Sequence, residues 1–185
     1  MGNEVINVKG VNINKADYKG IVKEGRTEYV ELKNGVKIDI WAPHNKKEPA
    51  TVQIGENNKV IMKNVFAGSC IGTDGNDNIE MHDCGDLHGI HLGAGDDKIS
   101  VFNSQVTSIN CCDGNDLIRL ENSLVFKNLH AEKVEFRNSN TLGKIFSDDT
   151  LFTDNSNFIE NKGNLHGKVE IRNCRNHNDE IRYCD

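Results

Sequence analysis

The residues best suited to chemistry are aspartates that recur at one place in three turns in the middle of the chain. A carboxylate is a hard oxygen ligand of the kind that Ca²⁺ prefers, and a glycine beside it lets backbone carbonyls approach a cation. The three turns share a glycine followed two residues later by an aspartate: Asp74-Gly75-Asn76-Asp77, Ala94-Gly95-Asp96-Asp97 and Asp113-Gly114-Asn115-Asp116. We therefore predict a calcium site with ligands from Asp74, Asp77, Asp96, Asp97, Asp113 and Asp116. The alternative is a ladder of hydrogen bonds among Asn and Asp side chains and backbone amides.

The charge distribution agrees with a cation site in this region. The 185-residue chain carries a net charge of −6, and residues 71–126 contribute 10 Asp and Glu against 2 Lys and Arg. An acidic block repels phosphate and attracts cations, so we expect no nucleic-acid partner. A solvated acidic face is the other interpretation of the same charges.

A zinc site and a nucleophilic cysteine are weaker alternatives in the same region. The candidate zinc ligands are His82, Cys84, His88 and His91, but they lack the C-x₂-C spacing of structural zinc sites. Asp83 and Asp86 flank Cys84, and carboxylates raise the pKa of a thiol, which makes it a poorer nucleophile.

Four arginines at similar strand positions could form a basic stripe beside the acidic turns, as a polysaccharide-active enzyme would need. They are Arg119, Arg137, Arg172 and Arg182. We favour the simpler interpretation that they are exposed and paired with neighbouring glutamates such as Glu121, Glu135, Glu170 and Glu180.

The six cysteines allow either a disulfide framework or buried free thiols. They are Cys70, Cys84, Cys111, Cys112, Cys174 and Cys184. Sequence alone gives no pairing, and small buried packing residues are the interpretation we favour.

The turns are separated by short β-rich segments, which indicates a solenoid. Successive glycine-aspartate turns lie 20 and 19 residues apart, and a late copy stands at 177–181. A repeat of this length with alternating apolar residues predicts an all-β, single-domain parallel β-helix with about 20 residues per rung, a rung being one turn of the solenoid. The predicted inward residues are Ile79, Met81, Ile99, Val101, Ile118 and Leu120, and the predicted outward residues are Glu80, Ser100 and Arg119.

Outside the three turns the pattern is less regular. Residues 1–50 alternate like strands but lack the turn motif, so we predict an N-terminal β cap there and a β-helix over 51–185, with the turn stack at 72–119. Between 124 and 175 the register is unclear, and the related segments 134–138 and 169–173 do not keep one phase. Gly75, Gly95 and Gly114 should adopt positive φ.

As nine-residue units, the turns resemble the hemolysin-type (RTX) calcium-binding repeat G-G-x-G-x-D-x-U-x. The units are 72–80, 92–100 and 111–119, in which the Asp is at 77, 97 and 116 and the aliphatic residue at 79, 99 and 118. The resemblance implies calcium bound between turns, although family repeats recur every nine residues whereas these recur once per rung.

We expect a non-catalytic secreted or surface module, in a bacterial effector, adhesion or toxin (virulence) type of role, that presents an outer face to a protein or carbohydrate partner. The alternative is a small pectate-lyase-like enzyme or toxin domain acting on polysaccharides. The sequence contains neither a stretch long enough to span a membrane nor an apolar signal region after Met1. Signal-less secretion, a fragment of a secreted protein and a cytoplasmic location all fit this pattern, and the oligomeric state is open.

Overall fold

The computed structural model describes residues 4–85, 88–154, 156–158 and 165–172, and within them the chain forms a β-solenoid. Six strands precede the regular rungs: β1 (Val5–Val8), β2 (Val11–Asn14), β3 (Tyr18–Glu24), β4 (Thr27–Leu32), β5 (Lys37–Pro43) and β6 (Ala50–Ile54). A 3₁₀ turn at Glu56–Asn58 follows them, and no described residue lies in an α-helix.

The remaining strands are short, as expected for segments that each form one side of a rung. They are β7 (Val60–Lys63), β8 (Val65–Ile71), β9 (Asn78–His82), β10 (Gly89–His91), β11 (Lys98–Phe102), β12 (Gln105–Val106), β13 (Ile109–Asn110), β14 (Leu117–Glu121), β15 (Leu124–Val125), β16 (Leu129–His130), β17 (Lys133–Arg137), β18 (Asn140–Thr141), β19 (Ile145–Thr153), β20 (Asn157–Phe158) and β21 (Leu165–Arg172).

These strands stack into three parallel sheets. Sheet A contains β7, β9, β11, β14, β17, the end of β19 and β21. Sheet B contains β8, β10, β13, β16 and the start of β19, and sheet C contains β12, β15, β18 and β20. The chain passes from sheet B to sheet A to sheet C in each rung, which gives about five turns of about 19 residues and confirms the predicted parallel β-helix.

The N-terminal strands extend the solenoid mainly by antiparallel pairing. β5 pairs antiparallel with β8, and β4 and β3 follow at the edge of sheet B. β6 pairs antiparallel with β7, and β2 lies parallel to β6. One apolar core runs from Val11 to Ile145 across this junction, and the division near residue 50 stays a prediction.

The core confirms the predicted inward column. Ile79, Ile99 and Ile118 are register partners on successive rungs of sheet A, and each has no solvent exposure. Met81, Val101 and Leu120 form the next inward column. Branched and unbranched aliphatic side chains thus fill the space between the sheets, as alternation along the strands requires.

The predicted loss of phase after residue 124 is wrong. Val134 is the register partner of Ile118, and Thr150 and Val169 continue the same column. The sequence pattern is irregular because two successive rungs contain only 16 residues: the turn before sheet A is shorter there, while the strand register is kept. The late copy at 177–181 lies outside the described residues.

Candidate functional site

Three of the predicted aspartates form a buried column at the turn that leads into sheet A. Asp77, Asp97 and Asp116 occupy the same place on successive rungs, immediately before β9, β11 and β14, and only 7%, 2% and 1% of their surfaces are exposed. This aspartate column consists of those three residues. It confirms the predicted stacking of this turn position.

Each aspartate side chain accepts a hydrogen bond from the rung before it. The backbone N–H of Asp77 donates to Oδ1 of Asp97 at 2.8 Å, and the N–H of Asp97 donates to Oδ1 of Asp116 at 2.8 Å. The N–H of Asp116 donates to Oε2 of Glu132 at 2.9 Å, so the ladder continues onto a glutamate in the shortened rung. The side chain of Asp77, at the other end, accepts a bond from the N–H of Thr73 at 2.6 Å.

Burial shifts the protonation of the column. It raises the pKa of Asp97 to about 6, against hydrogen bonding that lowers it, and the neighbouring carboxylates raise it further. Burial also raises the pKa of Asp77 and that of Asp116, where the adjacent Glu132 adds to the effect. The protein environment therefore disfavours negative charge at these positions.

The second oxygen of two column residues has no partner. Oδ2 of Asp97 and Oδ2 of Asp116 are buried without a hydrogen bond. A buried carboxylate oxygen needs a proton, a donor or a cation to offset the loss of water. No three His, Cys, Asp or Glu side chains among the described residues lie close enough to hold one metal ion. The column thus offers single carboxylates rather than a closed ligand cage, and calcium stays a prediction.

The other predicted ligands lie outside the column. Asp96 belongs to a second, exposed ladder: it receives a bond from the N–H of Asn115 at 3.0 Å, and its own N–H donates to Oδ1 of Asn76 at 2.9 Å. Asp113 pairs with Ala94 on the rung before it. At this position the alanine rung separates Asp113 from Asp74, so those two carboxylates are not on adjacent rungs.

The turn glycines are required because neighbouring rungs approach closely. A Cβ on Gly95 would lie 2.7 Å from the carbonyl carbon of Gly75, and Gly95 has a φ of +130°. A Cβ on Gly114 would collide with the carbonyl oxygen of Gly95. Gly75 does not have positive φ, so that part of the prediction is wrong, and its Cβ position is open because the close approach involves the following rung only.

A second ladder, which sequence analysis missed, lies at the turn between sheets A and C. The backbone N–H groups of Cys84, Ser104, Ser123 and Ser139 donate to the hydroxyl oxygens of Ser104, Ser123, Ser139 and Ser156, at 3.0, 3.2, 3.1 and 3.1 Å. The hydroxyls in turn donate to backbone carbonyls, as Ser123 does to Glu121 at 2.8 Å. This serine ladder satisfies buried N–H groups that the turn leaves without a strand partner.

An Asn or Asp in the left-handed conformation stands just ahead of each of these turns. The residues are Asp83, Asn103, Asn122, Asn138 and Asp154, with φ between 45° and 53°. Asn and Asp tolerate this conformation better than other non-glycine residues. The recurring Asn-Ser pairs at 103, 122 and 138 were the available signal in the sequence.

The zinc and nucleophile hypotheses do not survive the geometry. His82 lies on sheet A, where it bonds to Glu80 at 2.7 Å, whereas His88 packs against Trp41 at a ring distance of 4.8 Å. Cys84 is buried, and burial raises the pKa of its thiol to about 11. The predicted zinc ligands therefore lie on different faces, and the thiol of Cys84 is not activated.

The arginine stripe is paired, as favoured. Arg119 bonds to Glu135 at 2.6 Å. Arg137 contacts Asp154 at 3.2 Å and Glu121 at 3.9 Å. The side chain of Arg172 and the whole of Arg182 lie outside what the structure describes.

The described cysteines are free thiols. Cys70, Cys84 and Cys111 are buried and Cys112 is half-buried, which confirms buried packing for the first three. Burial raises the pKa of Cys70 to about 12 and that of Cys111 as well. Cys174 and Cys184 lie outside the described residues.

The outer face of sheet B carries a second set of candidate residues. Its strand register places two columns outward, one on each side of the buried column that includes Ile90. The residues of these columns are Ser69, Gly89, Ser108, Asn128 and Lys144, and Ile71, His91, Asn110, His130 and Phe146. The ten positions include three cationic or imidazole side chains and no carboxylate.

A cleft of about 490 Å³ lies on this face. Its lining combines rings with hydrogen-bonding groups, namely His91, Ser108, Ile109, Asn110, Asn128, His130 and Phe146. The rings of His130 and Phe146 lie 6.2 Å apart on adjacent rungs. A concave surface with few apolar rings and several polar groups is typical of a ligand site.

An aromatic cluster continues this face onto the N-terminal strands. Trp41 is 40% exposed, and its ring lies 5.5 Å from Phe66 and 4.8 Å from His88. Its indole N–H donates to Asp39 at 2.8 Å. Gly68 makes room for the indole, because a Cβ there would lie 2.8 Å from two of its atoms. The sequence did not suggest this cluster, because its members come from three separate segments.

No protein-family model, curated protein or solved structure matches this chain. Within the described ranges, no helix has the length and apolar character needed to cross a membrane.

Proposed function

We propose that the protein is a non-catalytic β-solenoid module that presents the outer face of sheet B to a partner. The observation that carries the proposal is the cleft in which His91, Asn110, His130 and Phe146 converge on one face of stacked rungs. Their rings and polar groups are positioned by the strand register, so the site is rigid before binding. Of the two partner classes, protein and carbohydrate, the mixture of amides, hydroxyl and rings favours carbohydrate. The role is that of a secreted or surface recognition module of the effector or adhesion type.

A polysaccharide-active enzyme is less well supported. General acid–base cleavage of sugars uses a pair of carboxyl groups, and the residues that line the cleft include none. The two described arginine side chains of the stripe are occupied by ion pairs on sheet A.

The test is binding to an oligosaccharide array by the wild type and by a Phe146→Ala variant. Phe102→Ala is the matched control, because Phe102 is a half-buried phenylalanine on the outward side of sheet A. We expect the wild type and Phe102→Ala to bind and Phe146→Ala to lose signal at equal thermal stability. Absence of wild-type binding, or an equal loss in both variants, would contradict the proposal.

A calcium-stabilised fold is a second part of the proposal, favoured by the unpartnered Oδ2 atoms of Asp97 and Asp116. A cation beside these oxygens would offset the cost of burying their charge. Asp97 and Asp116 would hold it, and Asp77, whose carboxylate already accepts bonds from Thr73, would contribute less.

A further inference from the structure

We infer that the partner of the sheet B cleft is a carboxylated, anionic oligosaccharide whose carboxylate lies beside Lys144 and whose ring packs on Phe146. This inference rests on the proposed function, since it names the class of ligand for the same face. It is carried by the charge of the face, by the unpaired lysines at one edge and by the shape of the cleft.

The charge of the face differs from that of the chain. The protein has 28 acidic and 22 basic residues, yet the ten outward positions of sheet B hold one lysine, two histidines and no acid. An anionic ligand would meet repulsion at the acidic turns but not here. Electrostatic complementarity therefore favours a negatively charged partner on this face.

The positive charge lies at one edge of the cleft. Lys144 is the register neighbour of Asn128, and Lys127 precedes Asn128; both lysine side chains are exposed. Neither ammonium group forms an ion pair within the part of the chain that the structure describes, whereas Lys59, Lys133 and Arg119 each do. At the opposite edge the strands lead into the acidic turns. A carboxylate would consequently be oriented toward Lys144.

The remaining groups suit a sugar chain. Asn110, Asn128 and Ser108 offer both donors and acceptors for hydroxyl groups, and Phe146 beside His130 offers a ring face for the apolar side of a pyranose. His91 and His130 stand two rungs apart, which is about 10 Å. The cleft volume of about 490 Å³ lies in the usual range for ligand sites, about 300–1,000 Å³. A short segment of chain fits better than a single ring.

The experiment is calorimetric titration of the full chain, in chelator, with a uronic acid oligomer, its carboxyl-reduced neutral analogue and a sulfated oligomer. We expect the uronic acid oligomer to bind, the neutral analogue to bind at least about tenfold more weakly, and added salt to reduce the difference. Lys144→Gln should weaken the acidic oligomer about tenfold and leave the neutral analogue unchanged. Lys98→Gln, an exposed lysine on sheet A, is the control and should change neither.

The outcomes separate this inference from the proposed function. Equal binding of the acidic and neutral oligomers, with no effect of Lys144→Gln, would overturn the anionic class while leaving carbohydrate recognition in place. Binding of the sulfated oligomer alone would overturn the carboxylate. Binding of none of the three would overturn this inference, and only a failure of the array as well would remove the proposed function. Both lysines are exposed, so the variants should keep the wild-type melting temperature.

Discussion

The backbone N–H of Asp77 donates a 2.8 Å hydrogen bond to Oδ1 of Asp97, the equivalent residue one rung further along the solenoid. One carboxylate oxygen of Asp97 thus completes the backbone of its neighbour, while the other is buried without a partner. The same side chain supports the turn geometry and carries an electrostatic cost. This combination makes the stability of the middle rungs sensitive to whatever neutralises the column.

The first prediction is a loss of stability as the pH rises in the absence of divalent cations. Burial raises the pKa of Asp97 to about 6, above its unfolded value of about 3.9, so the folded state binds the proton more tightly. The stabilisation from this proton is full below pH 4 and is lost as the pH rises through 6. We expect a decrease of about 1–2 kcal/mol in the free energy of unfolding between pH 4.5 and 7.5, measured by urea denaturation.

Asp97→Asn tests the origin of that decrease. The amide keeps an acceptor for the N–H of Asp77 and removes the charge. In chelator at pH 7.5 this variant should be at least as stable as the wild type, with a flatter pH profile. An unchanged pH profile would show that Asp97 is not the titrating group.

The second prediction concerns calcium. At a concentration one hundred times its dissociation constant, a cation that binds only the folded state adds about 2.7 kcal/mol to the free energy of unfolding. We expect calcium to raise the melting temperature of chelated protein, and magnesium to do so poorly because it demands a stricter octahedral shell. Asp97→Asn should lose this gain, whereas Asp148→Asn, at an exposed aspartate, should keep it. If calcium moves the melting temperature of neither wild type nor control, the column is a hydrogen-bonded ladder without a cation.

The third prediction is selective thiol labelling. Cys70, Cys84 and Cys111 are buried, and burial raises the pKa of each thiol, whereas Cys112 is half-buried and shows no such protection. We expect an alkylating reagent at pH 8 to modify Cys112 first in native protein, read peptide by peptide in a mass spectrometer. Modification of all four at one rate in native protein would contradict the buried positions. Labelling in denaturant supplies the reference for full exposure.

The sequence was informative where one residue type recurs at one rung position. Glycine at a close approach and an aliphatic residue two positions after the aspartate are constraints that few other residues satisfy, so Asp97 and Ile99 were placed correctly. The rungs of 16 residues were missed because Val134 and Thr150 keep their register after a turn that has lost the motif.

The sheet B cleft was not predictable in the same way. Its strands are two or three residues long, so His91, Asn110 and His130 show no alternation that a sequence pattern could reveal. Their convergence follows from coil lengths that vary between rungs. The serine ladder was missed for a different reason: an Asn-Ser pair is common in any turn, and only its position relative to the core column distinguishes it.

The last prediction tests that serine ladder. The hydroxyl of Ser123 accepts a bond from the N–H of Ser104 at 3.2 Å and donates to the carbonyl of Glu121 at 2.8 Å, and Ser123 is 5% exposed. Ser123→Ala removes both bonds and leaves a buried N–H without an acceptor. We expect a loss of about 1–3 kcal/mol in the free energy of unfolding.

Two further variants separate the ladder from a general effect of removing a hydroxyl. Ser108→Ala, at a half-buried serine on the outer face of sheet B, should change stability by no more than about 0.5 kcal/mol. Ser123→Cys should fall between the two, because Cys84 occupies the equivalent place with its thiol directed at the carbonyl of His82, 3.3 Å away. Urea denaturation of all three gives the comparison, and equal losses in Ser123→Ala and Ser108→Ala would show that the ladder contributes nothing specific to the fold.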